Sequence, residues 1–165
     1  MVVLEKLPRG IRNNNPGNIR IGSSKWQGMS AKQTDKNFVQ FDKPIMGLRA
    51  LMKLLLGYQR KNSLKTIAGI IQRYAPSNEN NTTAYVNAVA QATGFSATQT
   101  IDLENECTLW KIAQAIVDHE NGKSPLSEPI HWYSPVIYIA AALMALDYCN
   151  DEAAAIIAAR EKFDP

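Results

Sequence analysis

Apolar residues recur three and four positions apart along much of the chain, the period of helices that bury one face. In PIMGLRALMKLLLGYQ the buried face would carry Ile45, Leu48, Leu51 or Met52, Leu55 and Tyr58, with Pro44 at the start and Gly57 near the end. SLKTIAGIIQRY repeats the pattern through Leu64, Ile67, Ile70, Ile71 and Tyr74, and Ser63 is the expected N-cap. A helix bearing Tyr85, Val86 and Val89 follows, capped by Asn81 or Thr82 and ended by Gly94. CTLWKIAQAIVDHENG, SPVIYIAAALMAL and DEAAAIIAAREKF add three more. Before all of these, the short runs NIRIG and NFVQFD read as two strands of a small hairpin. Six helices and one hairpin, with neither an internal repeat nor a long linker, predict a single α+β domain over residues 1–165, predominantly α-helical.

The apolar run from His131 to Leu146 carries no charge but is shorter than the ~20 residues a membrane-spanning helix needs. It reads as a core helix with Ser134 as N-cap and Pro135 in the first turn. If it exposed an apolar face instead, a membrane or partner-helix contact would follow.

The net charge of +3 is mildly basic, and the lysines and arginines are dispersed. That suits an anionic polymer such as a cell wall better than nucleic acid, for which a basic stretch with interleaved aromatics is missing. Cys107 and Cys149 form no CxxC pair and read as two small buried thiols. With two histidines and no HExxH pattern, neither a metal nor a cofactor is implied. MVVLEKLPRG mixes acid and base without a long apolar core, so no signal peptide is read there.

One carboxylate breaks the helical pattern. Leu109, Ala113, Ile116 and Glu120 share a helix face, so Glu120 stands where the stripe expects another core residue, just before the turn at Asn121-Gly122. Asp118 falls on the other face, near Lys111, and is expected to be solvated. Burial and the negative helix end would both raise the pKa of Glu120, the condition for a general acid near neutral pH. A last-turn glutamate leaning into solvent is the bland alternative.

ENGKSPLSE, with Glu120, Gly122 and Ser124, resembles the E-x-G-x-S segment of bacterial β-N-acetylglucosaminidases of the lysozyme superfamily, in which the glutamate ends a helix and is the acid. NNNPGNIR, KWQG, FVQF and RYAPSNENNTTAY are similar to further segments of those enzymes, but here they precede the glutamate. This order resembles a circular permutation of the lysozyme-like fold. From about residue 9 to 128 the chain resembles more directly a family of phage-encoded, virion-associated and lysis proteins with the same NNNPGNIR and HENG runs. Residues 129–165 would then be a helical C-terminal extension.

The resemblance implies a peptidoglycan hydrolase, endolysin-like, cutting the glycan as a glycosidase or a lytic transglycosylase, with Glu120 as acid. Such a protein would be made in the host cytoplasm and act on the wall during lysis or entry. The rival reading is a non-catalytic wall-binding or structural virion protein. Glu79 and Asp35 are the candidates for a second catalytic carboxylate. Asn15, Gly17 and Asn18 would either bind N-acetyl groups or simply form a turn that tolerates positive φ. Arg20 would meet a peptide carboxylate or lactyl group, or pair on the surface. Trp26 would stack on a sugar or cover the hairpin, Tyr74 and Tyr85 would line the cleft or pack in the core, and Asn80 is a further sugar contact.

Overall fold

The computed structural model describes residues 7–76, 81–125 and 131–161. The described chain is predominantly helical: α1 (Arg9–Arg12), α2 (Pro44–Asn62), α3 (Ile67–Tyr74), α4 (Thr82–Thr93), α5 (Glu106–Asn121), α6 (Pro135–Ala145) and α7 (Asn150–Glu161). Five of the long helices lie where the apolar period places them, and α7 follows the alanine-rich segment.

Their ends follow local chemistry. Asn81 caps α4 by accepting from the Ala84 amide, and Gly94 ends that helix at φ 75°. Asn105 caps α5 through the Thr108 amide. Two boundaries differ from expectation. Gly57 is interior to α2, which continues to Asn62. Ser63 does not start α3 but ends α2 in the left-handed conformation at φ 55°, and the N-cap of α3 is Thr66, whose hydroxyl accepts from Gly69.

α6 is apolar all round, and such a helix is stable in water only when other elements surround it. It packs along α2 and α5, with Tyr138, Ala141, Ala142 and Ala145 sealed from solvent. The helix expected to be core is thus at the centre of the molecule, although it belongs to the C-terminal extension. The core joins Leu48, Leu51, Met52 and Leu55 of α2 to Ile70 and Ile71 of α3, Val89 of α4, and Leu109, Ile112 and Ile116 of α5. α7 touches α6 and is largely exposed.

The expected hairpin is reduced to two isolated antiparallel bridges, Arg20 with Phe38 and Met29 with Phe41. Backbone bonds still cross there, from the Ile21 amide to the Asn37 carbonyl and from the Val39 amide to the Ile19 carbonyl, and side-chain amides brace the loop beside them. The backbone amide of Gln40 donates to Oε1 of Gln33, the Gln33 amide donates to the carbonyls of Ser30 and Gln40, and Oε1 of Gln40 accepts from the Thr34 and Asp35 amides.

Cys107 is half-buried and Cys149 exposed, so neither is the buried thiol expected. Cys107 leads the first turn of α5, away from its apolar stripe, and Cys149 lies in the short link before α7. Among the described residues no helix is long and apolar enough to cross a membrane.

Candidate active site

α2 meets the asparagine loop backbone against backbone: a Cβ at Gly47 would collide with the carbonyl oxygen of Asn14. That approach seats residues 13–18 on the core, and two of them take the left-handed conformation, Asn14 at φ 51° and Asn18 at φ 49°. Asparagine adopts this region more readily than most side chains because its amide can bond locally.

The four asparagines of the loop then do different work. Asn13 donates to Asp35 Oδ2 at 2.8 Å, and Asn14 donates to the Phe41 carbonyl at 3.0 Å. Asn15 is fully buried, donates to the carbonyls of Ile19 and Val39, and accepts from the Ile19 amide. Its polar groups are spent inside the protein, so of its two expected roles it takes the structural one within the turn. Asn18 faces the other way and donates to Glu120 Oε2 at 2.9 Å.

Glu120 sits in the last turn of α5, half-buried, and its second oxygen accepts from the Tyr85 hydroxyl at 2.9 Å. Asp118, one turn face away, is not solvated as expected: it is half-buried, 2.6 Å from His131 Nδ1, and burial raises its pKa above the ordinary aspartate value. The residue after Glu120 secures the helix end. The Asn121 side chain is buried and donates to the carbonyls of Pro16 at 2.7 Å and Val117 at 2.8 Å. From α3, the Tyr74 hydroxyl donates to the carbonyl of Gly17. Asn121 and Tyr74 thus grip the two carbonyls that precede Asn18 and hold its amide against the carboxylate.

Tyr85 is 1% exposed, stacks on His119 with ring centroids 3.6 Å apart, and meets Tyr74 edge-on at 6.5 Å. Burial first, and the neighbouring Tyr74 and Glu120 next, hold its hydroxyl far above the ordinary phenol value, so it is a hydrogen-bond donor throughout the neutral range. Burial does the same for Tyr74. Partial burial holds His119 below the usual histidine value although Glu120 pulls the other way. Tyr85 is therefore a support beneath Glu120 and not a wall of the cleft, because its ring is sealed between α4 and α5.

The carboxyl of Glu120 opens onto a groove of about 470 Å³. Six residues singled out from the sequence line it: Glu120, Gly17, Asn18, Arg20, Trp26 and Tyr74. Arg9, Phe38 and Tyr58 line it as well and were not anticipated as site residues. Tyr58 has the helical spacing of a core residue, and nothing in the local pattern around Arg9 marks it. The pairing of Phe38 opposite Arg20 was legible only as a strand signal.

Asp35 does not join the groove lining. Its oxygens accept from Asn13, Asn37 and Phe38, bonds that hold its pKa below the ordinary value and close the loop before Phe38. Its position is that of a loop organiser. Glu79 and Asn80 lie outside the described residues.

Fold and site together define a helical protein with one carboxylate held at the floor of an open, partly aromatic groove. No family model matches the chain. It is 39% identical over 125 residues to Protein P5 of Pseudoalteromonas phage PM2, a match that spans 74% of this chain and 76% of that protein. The chain belongs to the family of that phage protein.

Proposed function

We propose that the protein is a peptidoglycan-cleaving enzyme with a lysozyme-like, circularly permuted fold, in which Glu120 is the general acid. The observation that carries this reading is the carboxyl of Glu120 at the floor of the groove, one oxygen against Asn18 and the other against Tyr85, with Trp26 and Tyr58 among the walls. Aromatic walls suit sugar rings, and a carboxylic acid beside a glycosidic oxygen can protonate the leaving group. Among the described lining residues Glu120 is the only acid. Hydrolysis generally uses two carboxylates. In lytic transglycosylation one glutamate serves in turn as acid and base: Glu120 would give its proton to the leaving oxygen, then take one from the C6 hydroxyl of the sugar left behind as that hydroxyl's oxygen closes on the anomeric carbon. The product would be a 1,6-anhydro end.

Glu120→Gln should lower the release of soluble fragments from purified sacculi by about 10²-fold or more while leaving the circular dichroism spectrum unchanged. Full activity in that variant would reject the assignment. Mass spectrometry of the fragments identifies the reaction, since a reducing end in place of an anhydro end means hydrolysis.

A second reading has its own observation. Both oxygens of Glu120 already accept internal hydrogen bonds that tie α5 to α4 and to the asparagine loop, the arrangement of a structural keystone in a wall-binding or structural virion protein. Sedimentation of the wild-type protein with sacculi, without any soluble muropeptide, would establish this second reading over the first.

A further inference from the structure

We propose that the face of α5 opposite Glu120 carries a second and smaller ligand site, a hollow beside the end of α4 that takes a single neutral sugar ring. That the ring belongs to a glycan rests on the peptidoglycan reading above; that the ligand is neutral and polar rests on the hollow's own chemistry. Asp118 and Glu120 are two positions apart on one helix, about 200° of rotation, so their side chains leave α5 on opposite sides. The two linings accordingly share no residue. Trp110, Lys111, Gln114 and Asp118 of α5, with Thr93 of α4 and His131, surround about 210 Å³.

Helical spacing gathers these groups. Residues 111, 114 and 118 stand three and four apart and share one strip of α5, with Trp110 at its edge. Ala115 lies on the same strip, buried, with too small a side chain to fill the space. Asp118 is held by His131, whose Nδ1 lies 2.6 Å from Oδ2, and among the described residues its other oxygen has no partner. Gln114 makes no side-chain hydrogen bond among the described residues, and Lys111 lies over the Trp110 ring, 5.9 Å from its centroid. The hollow therefore offers donors, acceptors and an indole surface, with one carboxylate set against one ammonium. Balanced charge disfavours an ion, whereas sugar hydroxyls bond to carboxylate, amide and ammonium alike and the C–H face of the ring packs on an indole. At about 210 Å³ the hollow is smaller than the ~300 Å³ at which drug-sized sites begin, which limits it to one ring. A second hold on the same polymer would keep the groove close to its substrate by raising the local concentration.

Three tryptophans report on the two sites separately. Trp26 lines the groove, Trp110 lines the hollow, and Trp132 belongs to neither lining, its indole N–H donating to the Gly122 carbonyl. Isotope-labelled Glu120→Gln protein would be titrated with tri-N-acetylchitotriose and followed through the indole N–H resonances by nuclear magnetic resonance. Trp110 should shift saturably in the millimolar range, equally at low and high salt, and should not respond to sodium phosphate. Gln114→Ala and Lys111→Ala should each weaken the Trp110 response about fivefold or more while the Trp26 response stays as it was.

A Trp110 resonance that stays in place while Trp26 responds would overturn the second site and leave the groove reading standing. A response at Trp110 alone would keep the second site and count against the groove. Silence at both, a stronger response to phosphate than to the sugar, or a Trp110 shift that survives both substitutions would each overturn the second site.

Discussion

Asn15 and Glu120 show how differently two polar side chains can be used within one site. Asn15 satisfies three backbone groups in a sealed position, so replacing it by aspartate would set a carboxylate against the carbonyls of Ile19 and Val39. Asn15→Asp should lower the unfolding free energy by about 3 kcal/mol or more, read from urea melts, where a ligand-contacting residue would leave stability untouched. Tyr85 has the complementary profile. Its ring is core, and only its hydroxyl reaches the site, through Glu120 Oε1. Tyr85→Phe removes the hydroxyl's hydrogen bond to Glu120, and an intramolecular hydrogen bond typically contributes about 1 kcal/mol. If Glu120 is the acid, kcat should fall several-fold with KM nearly unchanged, because Tyr85 is not among the groove's lining residues. A KM effect of the same size would mean that Tyr85 meets substrate directly.

Along α2, two glycines ten residues apart have opposite meanings. Gly47 is where the helix backbone touches the Asn14 carbonyl, and an added methyl must push the asparagine loop off the core. Gly47→Ala should destabilise by at least about 2 kcal/mol, as overpacking does, and should disturb the groove with it. Gly57 lies in the helix interior with open space around a Cβ. Gly57→Ala should stabilise by ~0.5–1 kcal/mol through helix propensity alone. Thermal melts of the pair check both signs. The same helix shows where a linear pattern fails, since a glycine near the end of an apolar period reads as a stop. Here the helix runs on to Asn62, because Leu55, Leu56 and Gln59 are still buried by packing from elsewhere.

At the scale of the whole molecule, buried phenols set the alkaline limit. Burial raises the pKa of Tyr58, Tyr74, Tyr85, Tyr133 and Tyr138, that of Tyr133 to about 12. An acid whose folded pKa is raised contributes stability that is complete below its unfolded value of 10.0 and is lost as pH climbs through the folded values. Stability should therefore fall above about pH 10, with tyrosinate absorbance appearing in one cooperative step with unfolding. Non-cooperative titration at pH 10 would contradict the burial. On the acid side Asp35, Asp102, Glu104 and Asp147 are held below their ordinary values, chiefly by hydrogen bonds. Their contribution is present above pH 3.8–4.5 and lost as pH falls through the folded values. Because Asp102, Glu104 and Asp147 are exposed to solvent and screened by salt, this arm should be shallower. Asp118, raised by burial, opposes it.

The sequence by itself determined the six long helices, some of their caps and the position of Glu120 at a helix end, because each depends on residues within a turn or two of one another. It also named six of the residues that share the groove. What it could not decide was the direction each polar side chain faces. Asn15 and Asn18 are three positions apart, yet one is consumed by the backbone groups of Ile19 and Val39 while the other crosses to a residue 102 positions later. The hairpin dissolved into bridges, Asp118 turned inward to His131, and Arg9 met Phe38 only once α1 had settled on the asparagine loop. Those outcomes belong to the tertiary structure, since a hydrogen bond or a ring contact is available to a side chain only after distant segments have packed around it.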